Sequence, residues 1–273
     1  MTRLEGQVAV VTGGALGIGG GISRRLALAG AHVVLNDVDE RAAREARHDI
    51  SEQGGGCTVV VGDIRDPEVV ARLRDAALAV ADGRVDVLVN NVGDFRPAAR
   101  SFLHSTEEQW QQLYELNLLH VFRVCHALLP AMVARRSGAV VNNATVEAFR
   151  GIPYAAPYAA FNAGVVAFTR SLAVDVARHG VRVNAIAPDL ADTPQTPAEL
   201  MLRGRDPELV RTWVPAGRFG RPDDYAAVVE FLASDDARFV TGHTIPVDGG
   251  TLAASGWYAR ADRKGWTNLP NEA

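Results

Sequence analysis

The chain has 273 residues, 28 basic and 32 acidic, for a formal net charge of −4; 27 of the basic residues are arginine and one, Lys264, is lysine. That balance argues against a nucleic-acid binder, which would carry a basic excess or stripe. Cys57 and Cys125 stand far apart, which excludes a disulfide scaffold and a CxxC metal site and suits a reducing, cytoplasmic setting. Glu5 and Gly6 interrupt any apolar run that would make a signal peptide, and the sequence shows no run of about 18 apolar residues, so no membrane span is expected.

In chain order, short apolar runs alternate with helical periodicity. Gln7–Thr12 reads as a buried strand, and Gly17–Ala29 as a helix with Ile18, Ile22, Leu26 and Ala29 on one face. His32–Leu35 is a second strand, Arg41–Gln53 a polar helix, and Cys57–Val61 a third strand. Pro67 opens a helix to about Ala81. Val85–Val89 is a fourth strand. A long helix begins after Thr106, with Glu107 and Glu108 in its first turn, and ends near Arg135. Ala139–Asn142 is a fifth strand, Pro157 to about His179 a helix closed by Gly180, and Val181–Ala187 a sixth strand. Asp223–Ala233 is a helix and Thr244–Val247 the last strand. Alternation of this kind predicts an α/β fold: a single-domain, Rossmann-like, doubly wound parallel sheet with helices on both faces. The expected division is a dinucleotide-binding catalytic domain over 1–250 and a C-terminal tail over 251–273. Asp189–Pro215 holds four prolines and little periodicity and reads as a lid or a long connection. The tail, from Ala253, is expected to be disordered or docked through Trp257, Tyr258 and Trp266.

The first strand leads into Thr12-Gly13-Gly14-Ala15-Leu16-Gly17-Ile18-Gly19. Glycines there let the backbone approach a pyrophosphate, and the following helix N-terminus offers N–H groups and a positive dipole. Asp37 ends the second strand, at the distance where a carboxylate meets a ribose diol and repels a 2′-phosphate. The expected cofactor is therefore NAD. Gly20 and Gly21 extend the run into the helix, at a cost of about 1 kcal/mol each against alanine, with close packing the only account the sequence offers.

On these residues the sequence resembles the short-chain dehydrogenase/reductase family, in its single-domain branch, over roughly residues 5–250. Besides the glycine run, the resemblance is carried by Asp63 after the third strand, Asn90-Asn91-Val92-Gly93, Asn117, Tyr158, Arg182-Val183-Asn184 leading to Pro188, and Val247-Asp248-Gly249-Gly250. It implies that Thr12, Gly13, Leu16, Gly17, Ile18 and Gly19 cradle the cofactor and that Asp63 and Ile64 hold adenine. It implies further that Asn90, Val92 and Gly93 support the cofactor and that Pro188 and Thr193 meet the nicotinamide. Asp189 stands where the family has glycine. Tyr158 matches the acid/base tyrosine, Thr145 the hydroxyl that orients the substrate oxygen, and Asn117 the family's asparagine. The family's lysine, four residues after the tyrosine, is Asn162 in this chain. On a helix Asn162 still shares a face with Tyr158, and its amide reaches toward ribose hydroxyls without supplying a charge. A phenol with no cation beside it ionises less readily, which hinders oxidation more than reduction.

Three readings follow. The first is an NAD(H)-dependent oxidoreductase interconverting a bulky or cyclic secondary alcohol and its ketone. In it, another group, with Arg150 and Arg96 as candidates, replaces the missing charge, or a slow step hides its loss; each arginine is read first as an ordinary surface arginine. The second is a non-redox member, a dehydratase, isomerase or cyclase retaining NAD. The third is a cofactor-binding pseudoenzyme subunit. Phe95, Phe149, Ile152, Tyr154 and Trp213 are expected to wall the substrate, with Asp94, Glu147 and Asp189 adding negative charge. No histidine shows metal-ligand spacing, so no metal is expected. The expected partners are a small-molecule substrate and further copies of the chain, as a dimer or tetramer, with no nucleic acid and no membrane. Lys264 is expected to be an exposed residue of the tail.

Overall fold

A computed structural model describes residues 3–254, 256–260, 262 and 264–267. Its centre is a seven-stranded sheet of β1 (Val8–Thr12), β2 (His32–Asp37), β3 (Gly56–Val61), β4 (Val87–Asn90), β5 (Gly138–Asn143), β6 (Val181–Pro188) and β7 (Thr244–Val247). The spatial order is β3-β2-β1-β4-β5-β6-β7, and every pair is parallel. Strand order reverses between β1 and β4, and in such sheets ligands bind at the carboxyl ends of the strands beside that reversal.

The two sheet faces bury alternate residues of the same strands. Ala9, Val11, Val33, Leu35, Val87 and Val89 pack with α1 (Gly17–Leu28), α2 (Glu40–Glu52) and α9 (Pro222–Ala233). Val8, Val10, Val34, Leu88 and Val140 pack with α3 (Pro67–Val80), α5 (His120–Arg135) and α6 (Ala156–Ala177). Strands buried on both faces therefore read as continuous apolar runs. Truncating one fully buried leucine, such as Leu88, would cost about 2–5 kcal/mol.

Two segments depart from the sequence expectation. The long helix after Thr106 is three pieces: α4 (Glu107–Tyr114), a π-helical turn at Glu115–Leu119, and α5. Asp189–Pro215 is built rather than loose. It contains α7 (Ala198–Leu202) and α8 (Val210–Trp213), and Val210, Val214 and Phe219 form a third small core with Leu190, Met201 and Trp213. The tail forms a short antiparallel hairpin of β8 (Tyr258–Ala259) and β9 (Trp266–Thr267) beside α8. Trp257 and Tyr258 stay exposed, so burial of these two rings is not what docks it. Lys264 is exposed on this hairpin.

The helical stretches Glu107–Arg135 and Ala156–Ala177 are long and apolar enough to cross a bilayer by length and composition, contrary to the expectation from sequence. In the fold, their apolar residues, among them Val121, Val124, Leu128, Val165 and Val176, pack against the sheet.

Candidate active site

The dinucleotide end is a cradle of backbone. A side chain on Gly19 would place its Cβ 1.9 Å from the Gly13 carbonyl oxygen, so only glycine lets α1 start this close to the loop. Leu16, at the N-cap, makes no capping bond, and no acid occupies the first turn of α1. The helix dipole and the uncapped N–H groups are left for an anion, which fits a pyrophosphate. The carboxyl end of β4 supports this end through Asn91. Its N–H donates to Thr12 Oγ1 at 3.0 Å, and its side-chain amide donates to the carbonyls of Thr12 and Gly13 at 3.2 and 3.1 Å. Asn91 is a positioning residue that the sequence reading quoted without assigning a role. Its partners are ones no local spacing reveals.

At the end of β2, Asp37 accepts from the Ala15 N–H (3.1 Å) and the Asp39 N–H (3.1 Å), which leaves lone pairs for hydroxyl donors. Val38, next to it, is exposed. Arg41 and Arg44, the first cations along α2, are paired with Glu45 and Glu40. Asp63 is held by Arg65, with Nε and Nη2 at 2.9 and 2.5 Å from Oδ2, while Ile64 is buried.

Asn90 lies inside the fold. Its amide nitrogen donates to Asn142 Oδ1 at 2.9 Å and meets Cys125 Sγ at 3.3 Å. This places it between β4, β5 and α5, so any support it gives a cofactor is indirect. Val92 and Gly93 follow at the strand end. The segment after Pro188 closes over both loops: Gln195 donates to the Gly93 carbonyl at 3.2 Å, and Thr193 lies against Gly17.

At the other end of the cleft, Tyr158 sits in the first turn of α6. Its ring meets Phe95 edge-on, centroids 6.1 Å apart, and the Thr145 side chain is close enough to act on its phenol. Thr145 caps the turn that follows β5, accepting from the Glu147 N–H at 3.3 Å, and reaches the Pro188 carbonyl at 3.4 Å. Burial pushes the Tyr158 phenol up to about 12; the Thr145 hydroxyl works against this, and the charges of Glu147, Asp94 and Asp189 add to it.

The two asparagines spend their amides on backbone. Asn117, in the π turn, donates to the carbonyls of Asp94 and Leu113 (2.9 Å each) and accepts from the Asp94 N–H (3.0 Å). It pins the strand-end loop that carries Phe95, and the π turn is the helix's local adjustment around it. Asn162 is 4% exposed, and its amide nitrogen donates to the carbonyl of Tyr158 at 3.0 Å.

Arg96 is the surface arginine expected, exposed and paired, whereas Arg150 is largely buried. Arg150 donates to Glu147 at 3.0 Å and to Asp189 at 2.7 Å; Arg96 forks onto Asp94, with Nε 2.9 and 2.8 Å from its two oxygens. Each cation is cancelled before it can act on Tyr158. Of the expected apolar wall, Phe95 is in place, whereas Phe149 and Tyr154 are exposed.

A doubly wound sheet with a glycine cradle at its switch point, an acid at the end of β2 and a hydroxyl pair across the cleft defines a dinucleotide-dependent enzyme. Residues 13–251 match the family described as enoyl-(acyl carrier protein) reductase. The chain is 39% identical over 259 residues to 3beta-hydroxysteroid dehydrogenase 1 of Eggerthella lenta, covering 93% of this chain and 97% of that one. It is 36% identical over 250 residues to the 3-oxoacyl-(acyl-carrier-protein) reductase FabG of Thermotoga maritima, covering 92% and 99%. The solved structure of a variant of the actinorhodin polyketide ketoreductase with NADPH superposes with a TM-score of 0.84 at 33% identity, over 92% of this chain and 99% of that one. The chain belongs to the short-chain dehydrogenase/reductase family and is one of its nicotinamide-dependent oxidoreductases.

Proposed function

We propose that the protein is an NAD(H)-dependent reductase of bulky or cyclic ketones, yielding secondary alcohols. The observation that carries this is the Tyr158 phenol, packed edge-on against Phe95, with burial and the charges of Glu147, Asp94 and Asp189 raising its pKa to about 12. A phenol in that setting stays protonated and is suited to giving a proton.

A bound nicotinamide supplies the hydride. Thr145 orients the carbonyl oxygen. Tyr158 donates its O–H proton to that oxygen as the carbonyl carbon gains hydride, and the resulting phenolate recovers its proton from solvent. Asn117 holds the Asp94–Phe95 loop against the Tyr158 ring. Asn162, in the place of the family's lysine, braces the first turn of α6 and adds no charge. Thr12, Gly13, Leu16, Gly17, Ile18 and Gly19 form the pyrophosphate bed. Asp63 and Ile64 border adenine, and Val92, Gly93, Pro188 and Thr193 border the nicotinamide end. Asp37 supports NAD over NADP, because its carboxylate accepts from a ribose diol and opposes a 2′-phosphate. The ketoreductase neighbour holds NADPH, so the preference is a point of difference to be measured.

The relatives' names span a hydroxysteroid and an acyl-carrier substrate. The paired arginines offer no free cation to an anionic carrier, which favours neutral cyclic ketones. The catalytic unit is 1–250, with 251–273 a tail. It assembles as a dimer or tetramer in the cytoplasm, through the apolar groove of about 680 Å³ between α3, α5 and α6 that Val70, Phe122 and Leu129 line. A neutral amide at 162 also favours a second, non-redox reading, as a dehydratase, isomerase or cyclase.

One assay separates them: a panel of cyclic ketones with NADH or NADPH, following cofactor absorbance and product. Turnover with NADH, and a shift toward NADPH in Asp37→Ser, is expected. Product formed at constant cofactor absorbance would establish the non-redox reading instead.

A further inference from the structure

We propose that Glu147 and Asp189 are positioning residues that bias the reaction toward reduction, by over-balancing the charge of Arg150 in the cluster they form with it at the edge of the Thr145–Tyr158 loop. The proposal rests on the redox reading above.

The three side chains form a largely buried cluster: Arg150 is 27% exposed, Glu147 11% and Asp189 8%. Arg150 Nη2 donates to both carboxylates, and its Nε meets Glu147 Oε2 at 3.3 Å. Asp189 is anchored from two further sides. Thr251 donates to its Oδ2 at 2.5 Å, and the Leu190 N–H donates to its Oδ1 at 2.9 Å. One guanidinium thus faces two fixed carboxylates. The cluster bridges the Thr145–Tyr158 loop, the end of β6 and the root of the tail.

Both carboxylates also act on Tyr158. The carboxylates acting on that phenol come from three segments, Asp94 after β4, Glu147 before α6 and Asp189 at the end of β6, and each is paired with Arg96 or Arg150. Thr145 adds a hydroxyl, and Asn162 a neutral amide. Among the described residues Arg150 is the guanidinium that bridges two of these segments, and it is over-compensated. Alcohol oxidation needs the phenolate: it takes the alcohol O–H proton while hydride leaves the carbinol carbon for NAD. Ketone reduction needs the phenol. A cluster with excess negative charge disfavours the first and permits the second.

Glu147→Gln keeps the shape of the side chain and removes one charge, leaving Arg150 matched one to one. In the full-length protein with saturating NAD, its alcohol-oxidation profile should move to lower pH by about one unit, a gain of about tenfold at about pH 8 to 9. Reduction with NADH should change much less. Glu147→Gln combined with Arg150→Met should lose the gain. A readout independent of turnover is the phenolate absorbance of Tyr158, taken as the difference between each protein and its Tyr158→Phe counterpart, with and without NAD. Its midpoint should fall in Glu147→Gln and in Asp189→Asn. If no alcohol or ketone turns over, the redox reading fails while this titration still tests the carboxylates. A midpoint unmoved in both variants overturns the proposal. So does a uniform loss of rate at every pH, which would make the cluster a structural brace only.

Discussion

One helical turn from Tyr158, Asn162 turns a neutral amide onto its own helix. The nearest guanidinium of the β5–α6 loop is tied to two acids. These two facts set the behaviour of the phenol more than the identity of the tyrosine does. The neutral residue was legible in the sequence, because a spacing of four residues fixes a shared helix face. The pairing of Arg150 with Asp189 was not, since it joins residues 39 positions apart. His120 is a second residue whose role only the fold reveals. It is fully buried at the start of α5, its ring nitrogens facing the carbonyls of Val92 and Leu116 without good hydrogen-bond geometry. Burial holds its pKa down to about 4. The unfolded chain takes up that proton near pH 6.5, so between the two values the unfolded state holds more protons and stability falls as pH drops. The loss amounts to about 3 kcal/mol by the bottom of that window, as an order of magnitude. Urea unfolding at a series of pH values should show it, and His120→Gln should flatten the dependence across that window.

Among the elements, α1 shows why a glycine run extends past the phosphate loop. A side chain on Gly21 would place its Cβ 2.7 Å from Pro222 Cβ, at the first residue of α9. The run therefore serves two contacts, the cradle at Gly19 and the α1–α9 interface at Gly21. The sequence showed the helix penalty without its compensation, because the partner helix lies 200 residues away. Gly21→Ala gains up to about 1 kcal/mol of helix propensity and loses about 1–3 kcal/mol to overpacking. A net destabilisation is expected in equilibrium unfolding, with NAD affinity nearly unchanged. Gly19→Ala should instead abolish NAD binding, because the clash lies in the bed itself. The same distinction of scale applies to the long helix: its composition announced a helix, but only the side-chain bonds of Asn117 to the Asp94 backbone explain the π turn within it.

For the molecule as a whole, alternating strand and helix patterns were enough to give a parallel sheet with both faces covered, and two cores built from alternate residues of the same strands follow from that. The glycine run, Asp37, Thr145 and Tyr158 could be singled out from local spacing, and their roles rest on the proposed function. What escaped was everything that joins distant segments: Asn91 beneath the glycine loop, Gln195 reaching Gly93, the ordered 189–215 segment with its own small core, and the paired arginines. Pattern reading finds residues that share a helix or a strand; it does not find charges brought together by a crossover.

On the proposed function, Tyr158 delivers the proton in an NADH-driven reduction. The most direct measurement is single-turnover NADH oxidation with an accepted cyclic ketone, comparing the native protein with Tyr158→Phe. The expected result is a loss of about 10² to 10⁴-fold, with NADH affinity retained. An unchanged rate in Tyr158→Phe, or product formed without NADH consumption, would contradict it.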